Sequence, residues 1–227
     1  MTSAQRDVDA LVDFCKKNLG EQEIWSTPEG YPDSLALCII DAIYSTGSHY
    51  TSVTNVIARY REAGGSKDGA SALLRSFEEA GGPRPWAETV AQNVKPANTR
   101  PGAPLKADVI RDAAQLMVDL EIDTVADLDA EVGKSPQDNR VHTRWKKLTS
   151  QRSGVTYNYL LILAGQPSVK PDRMVLRFLA DALDREDSLS TTEAVDLISA
   201  AAEKLEVSPR TLDHVVWRYA SGRELTD

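Results

Sequence analysis

The stretch SVKPDRMVLRFLADAL, Ser168 to Leu183, places an acid directly after a proline at the mouth of a helix. Asp is a preferred N-cap, because its carboxylate accepts from the amides of the first turn. The same position also favours a negative charge, since the helix dipole presents its positive end there. Two readings of Asp172 therefore stand side by side: a cap and nothing more, or a fixed anion available for chemistry. A fixed anion suits a reaction in which a sugar carbon gains positive charge as its substituent departs. An opposing charge about 4 Å away, at an effective dielectric near 20, is worth about 4 kcal/mol, or roughly a thousandfold in rate.

A second constellation lies just upstream. TSQRSG joins VHTRWKKL to VTYNYLLILAG, a helix, a short turn and another helix. Such a hairpin can present backbone N–H groups to a phosphate, helped by the dipole of the second helix. Arg152, Lys147 and Arg144 would add charge. The alternative is a plain connection with exposed basic residues. His49, His142 and His214 lie far apart, without the spacing of a metal site. Trp145, two residues from an apolar stretch, is expected in the core, as are Trp217 and Tyr219. Tyr157 and Tyr159 alternate after the hairpin, so at most one is expected to face a site.

These residues need elements to position them, and helical periodicity dominates the chain. The expected architecture is all-α, with about ten helices joined by short links in a compact helical domain of two lobes. The helix DSLALCIIDAIYS is apolar on most sides and is expected to be central. VKPANTRPGAPL is the main proline-rich connection, and no repeat of fixed period is present. The expected division is residues 1–30, an N-terminal helix and loop packing with the C-terminal lobe; 31–145, a central lobe; and 146–227, carrying the hairpin, the Asp172 helix and the closing helices.

Composition narrows the class. The 227 residues are 41% hydrophobic and 26% charged, as in ordinary globular proteins. No run approaches the length of a membrane span. MTSAQRDVDALVDF carries acids where a signal peptide needs a basic start and an apolar core. A cytoplasmic protein is expected. Cys15 and Cys38 are too few for a disulfide framework or a four-cysteine metal site and are expected as buried thiols. The net charge of −8 argues mildly against nucleic acid, but binding follows the local field. RVHTRWKKLTSQR and NVKPANTRPGAPLK hold no acid, while DALDREDSLSTTEAVDLISAAAEKLE is mostly acidic. A basic stripe of this kind is compatible with DNA phosphates.

TSQRSGVTYNYLLILAGQPSVKPDRMVLRFL resembles the helix-hairpin-helix DNA glycosylase superfamily, the endonuclease III-like fold. The likeness runs through a hairpin, an apolar helix ending in Ala-Gly, a short loop, and an Asp opening a helix with Arg inside it. LALCIIDAIYSTGSHYTSVTNVIARY resembles the family's early helix pair, whose junction intrudes into DNA. PLKADVIRDAAQLMVD is similar to the segment where a lysine-alanine pair opens a helix, and TLDHVVWRYAS to closing helices of some bacterial members. The likeness covers Tyr31 to Tyr219 and is sharpest over Leu148 to Leu179.

The resemblance implies a nucleoid-associated enzyme of two helical lobes with a cleft between them, which binds double-stranded DNA, flips one nucleotide and hydrolyses its N-glycosidic bond, as in base excision repair. Asp172 would be the catalytic carboxylate. Ser150, Gln151, Arg152, Ser153 and Gly154 would form the phosphate-gripping hairpin, with Lys147, Arg144 and Lys170 as further DNA contacts. Ser45, Thr46, His49, Tyr50 and Tyr157 would form the base-flipping wedge and pocket. The family hairpin usually reads Leu-Pro-Gly-Val-Gly followed closely by a lysine in members that also cut the backbone. Here Gly154 falls at that lysine's position, and no lysine occurs between Lys147 and Lys170. A monofunctional enzyme using water is implied. SPRTLDHVVWRYASGRELTD has no cysteine, so the family's iron–sulfur cluster is not expected. No metal or organic cofactor is implied, beyond a monovalent cation at the hairpin. A monomer is expected. The degenerate hairpin and the acidic total charge favour one alternative, an inactive DNA-binding protein of the same fold; a glycosylase acting on modified phage bases is another. A third is a helical interaction protein in which Asp172 only caps.

Overall fold

The computed structural model describes residues 3–133, 135–185, 187 and 189–225. Among them are twelve α-helices and no strand, only a single β-bridge between Pro96 and Leu105. In chain order the helices are α1 (Ser3–Asn18), α2 (Leu35–Tyr44), α3 (Tyr50–Glu62), α4 (Ala70–Ala80), α5 (Pro83–Thr89) and α6 (Lys106–Asp119). There follow α7 (Val125–Val132), α8 (Arg140–Trp145), α9 (Val155–Leu163), α10 (Arg173–Leu183), α11 (Thr191–Lys204) and α12 (Pro209–Ala220). The protein is all-α. None of these helices is long and apolar enough to cross a membrane.

The chain divides into two compact units. One is continuous, Gly30–Gly165; the other joins Met1–Glu29 to Gln166–Asp227. The boundary expected after residue 145 thus falls after residue 165. The reason is the composition of α9: seven of its nine residues are buried, and they pack against α2 in the core of the continuous unit. The Tyr31 amide also donates to the Leu163 carbonyl at 2.7 Å, tying the first and last turns of this unit together.

Helix α2 is the centre of the continuous unit. All ten residues of LALCIIDAIY are buried, including Asp41. A helix apolar all round must be covered on every side, and α3, α4, α6 and α9 do so. Its Leu and Ile side chains each contribute about 1.5–3 kcal/mol by leaving water. Ser34 caps it by accepting from the Leu37 amide. Its neighbour α3 starts at Tyr50, with His49 at the cap position and no side-chain cap bond.

The other unit packs α1 on α10 and α11, with α12 against the same two helices. Phe178 is the hub: Phe14 and Tyr219 meet its ring edge-on, at centroid distances of 5.3 and 5.7 Å. Side-chain caps start all three C-terminal helices: Asp172 on α10, Ser190 on α11 in a reciprocal box with Glu193, and Ser208 on α12, followed by Pro209. Cys15 and Cys38 are free and buried, and burial pushes the Cys15 thiol up to about 12.

Candidate functional site

Asp172 is the N-cap of α10. Its Oδ1 accepts from the Met174 amide at 2.8 Å and the Val175 amide at 3.2 Å. Both bonds go to one oxygen, and the residue is half-buried rather than sealed. The approach to it is rigid. The Asp172 amide donates back to the Lys170 carbonyl at 2.7 Å, closing a three-residue turn over Pro171. The Lys170 amide in turn donates to Asp213 Oδ1 at 2.8 Å, from α12. Asp213 is buried, and desolvation, with Asp172's charge as a smaller contribution, raises its carboxyl to about 8. A second acid thus fixes the backbone two residues before the first. Lys170 is half-buried; it contributes its backbone to this arrangement.

In the continuous unit, α8 and α9 flank the turn 146–154. Gly154 adopts φ 78°, the left-handed conformation that lets the chain enter α9. Ser150 also has positive φ, 66°. Beneath the turn runs a buried chain of polar groups. Trp145 Nε1 donates to Thr156 Oγ1 at 2.9 Å, and Thr156 Oγ1 donates to Gln151 Oε1 at 2.5 Å. Gln151 Nε2 donates to the Thr149 carbonyl at 3.0 Å. Gln151 is only 3% exposed. Expected as a phosphate contact, its side chain instead turns inward and braces the hairpin, because the turn's inner polar groups need partners once buried.

Arg152 and Ser153 are exposed at the tip, as are Lys146 and Lys147 beside it. Asn98 Nδ2 donates to Ser150 Oγ at 3.0 Å, which joins the hairpin to the other acid-free stretch. The rest of the basic run is locally balanced. Arg140 is ion-paired with Glu131 at 2.5 Å. Arg144 and Lys147 line an open groove of about 380 Å³ that Asp112 and Asp119 also line. The uncompensated positive edge is narrower than the run of cations implies.

The residues expected at the wedge divide. Ser45 and Thr46 direct their hydroxyls back to the Ala42 and Ile43 carbonyls at 2.9 and 3.0 Å, a backbone-capping use. His49 is exposed, and Tyr50 is 51% exposed. Tyr157 is not at a surface at all: it is fully buried, donating to the Pro136 carbonyl at 2.7 Å and accepting from Asn139 at 2.9 Å. That corrects its expected place in the pocket. The half-buried tyrosine of α9 is Tyr159, because two residues along a helix rotate a side chain by more than half a turn.

Three residues have large roles that the sequence did not assign, although one of them, Lys106, closes the acid-free stretch NVKPANTRPGAPLK. Lys106 opens α6 and is 1% exposed. Its Nζ donates to the carbonyls of Ile43, Tyr44 and Thr46 at 3.0, 2.9 and 2.5 Å, and to Thr46 Oγ1 at 3.0 Å. It satisfies the last carbonyls of α2 and pins the loop that follows. Lys95 Nζ adds a bond to the Gly47 carbonyl. Asp41 is the second, the one charge in an apolar helix, and Asp213 the third. The signal for Asp41 was present in LALCIIDAIY, an acid at a position whose neighbours all demand burial. Among the described residues, no group of three His, Cys, Asp or Glu side chains is placed to hold a metal ion.

No curated protein and no solved structure matches the chain. A family model does match residues 9–221, the one described as Domain of unknown function (DUF8548), and with nearly its whole length inside that match the chain belongs to this family.

Proposed function

We propose that this protein is a monofunctional DNA N-glycosylase with the helix-hairpin-helix glycosylase fold. Its hairpin binds duplex DNA, one nucleotide is extruded from the stack, and the bond between the base and the deoxyribose is hydrolysed. The C1′–N bond breaks with its electron pair leaving on the base. Water bonds to C1′, and its proton ends on the base or on solvent. Asp172 stabilises the positive charge on the sugar and orients the water. The product is an abasic site.

The observation that carries this reading is the way Asp172 is held. One carboxylate oxygen takes both amide bonds of the cap, and the residue stays partly open to solvent. The preceding turn is locked by Pro171 and Asp213. A preorganised charge of this kind stabilises a developing cation without reorganising during the reaction. The exposed Lys146, Lys147, Arg152 and Ser153 support the phosphate-gripping role of the hairpin.

A second reading, a DNA-binding protein of the same fold without activity, is favoured by a specific observation. The groove under Arg144 and Lys147 is half acidic, and Arg140 is already paired, so the hairpin grips phosphate with few free cations. Incubation with duplexes bearing alkylated, oxidised, deaminated and phage-type modified bases, followed by alkali, separates the two. Strand scission at one base type, absent in Asp172→Asn, supports the glycosylase. Binding without scission on any member of the panel supports the second reading. Borohydride trapping on the same panel tests the water mechanism, since a covalent adduct would contradict it.

A further inference from the structure

The proline-rich connection between α5 and α6 is a built element and not a loose link. The Pro96–Leu105 bridge pairs its two arms. The Ala97 amide donates to the Pro104 carbonyl at 2.8 Å, and the Lys106 amide to the Lys95 carbonyl at 2.9 Å. At the tip the Arg100 amide donates to Asn98 Oδ1 at 3.0 Å, and the Ala103 amide to the Arg100 carbonyl at 3.1 Å. Residues 95–106 thus form a two-armed finger. Pro96, Pro101 and Pro104 fix their own φ angles within it, so the finger has little freedom left to lose on binding.

The finger is tied at its base and near its tip, always within the continuous unit. At the base Asn93 Nδ2 donates to Ser52 Oγ at 3.1 Å, and Lys95 Nζ to the Gly47 carbonyl. Near the tip Asn98 Nδ2 donates to Ser150 Oγ at 3.0 Å. That last bond straps the finger to the turn before α9. Arg100 stands two residues beyond Asn98, and Arg152 two residues beyond Ser150, each at most about 7 Å of chain from the bonded pair. Both arginines are exposed, and neither is in an ion pair among the described residues. No acid occurs in residues 89–107 or 139–171. Asp108, the next acid beyond the finger, turns one oxygen to the Leu105 amide at 2.7 Å. Two uncompensated cations on stiff, strapped supports complement a polyanion, whose counterions they release.

We infer that the finger and the turn before α9 form one two-pronged clamp on the phosphate backbone of duplex DNA, with Arg100 on one prong and Arg152 on the other. Phosphate contacts fix position without reading bases, so the clamp holds DNA of any sequence, with or without a modified base. Asn98 is a positioning residue: it touches no phosphate and keeps the two prongs side by side. This rests on the DNA reading above and adds to it a second point of grip, outside the hairpin.

The test is equilibrium binding of the full chain to an unmodified duplex between about 50 and 200 mM salt, which involves no base release. Arg100→Ala is expected to make the slope of log affinity against log salt shallower by about 0.9, so its Kd rises about three- to fourfold less over that range than the wild-type Kd. Arg152→Ala should do the same, and the double variant should lose about 1.8. In an Asn98→Ala background Arg100→Ala should change the slope less than it does in the wild-type chain, because the finger is no longer strapped to the turn. Arg84→Ala, at an exposed arginine of α5 outside the acid-free stretches, should leave the slope unchanged. The Arg100 side chain has no partner among the described residues, so Arg100→Ala should keep the wild-type Tm. A slope indifferent to Arg100→Ala, an equal response to Arg84→Ala, or an Arg100→Ala effect undiminished by Asn98→Ala overturns the inference and leaves the hairpin reading standing. Absence of duplex binding at the lowest salt refutes the DNA reading and the clamp together.

Discussion

Asp172 and Asp41 are both half or more withdrawn from water, yet they are held in opposite ways. Asp172 sits at a helix end and is bound by two amides of its own helix. Asp41 sits inside a helix whose amides are already used, and phenols from other segments come to it. The first arrangement is local, set by four consecutive residues. The second is tertiary and exists only when the loop before α2 and helix α9 are both in place. A local anchor leaves the acid's second oxygen outside the capping pair and its residue partly open. A tertiary anchor encloses the acid and surrounds it with rings.

The largest expected stability effect sharpens the tertiary side. Lys106→Met strands the Tyr44 carbonyl and removes one of two donors from the Ile43 and Thr46 carbonyls, at about 1–3 kcal/mol for a group left without a partner. Urea denaturation should show a loss of about 1–3 kcal/mol, with the loop before Tyr50 released. Next is the pH dependence of the unit that carries Asp172. Asp213 is raised from the ordinary value near 4 to about 8, so between those pH values the folded chain binds a proton that the unfolded chain has lost. Stability contributed by this group therefore falls as pH rises from about 4 to about 8. In Asp213→Asn the decline in Tm over that window should flatten; an unchanged slope would contradict the burial argument.

Smaller effects probe the local side. Asp172→Ala removes the cap and should cost about 1 kcal/mol, whereas Asp172→Asn, an equally good cap, should cost only a few tenths. That contrast separates charge from capping, since Asn keeps the helix and loses the anion. The smallest effect is at the hairpin tip. Arg152→Ala should lower the slope of log affinity against log salt by about one without a preference for sequence. No change in slope would remove Arg152 from the phosphate contacts.

How much of this could be seen in the chain follows the same division. The all-α class, the central α2, the turn before α9 and the capping position of Asp172 were legible, because each depends on residues close in sequence. Gln151 and Tyr157 were misplaced because nothing local tells which side of a turn or helix faces inward; Tyr159, two positions on, is the one that reaches Asp41. The hold of Asp213 on Lys170 spans 43 residues, and no spacing rule reports it. The boundary after residue 165 depends on α9 packing with α2, a contact between segments more than a hundred residues apart.

The central claim is that Asp172 acts as a charge and not only as a cap. The direct measurement is single-turnover base release from the modified-duplex panel by wild type and Asp172→Asn, with the Tm of both recorded. The account predicts release at one base class by wild type, a loss of about a thousandfold in the variant, and nearly equal Tm values. Release by Asp172→Asn at the wild-type rate would contradict it.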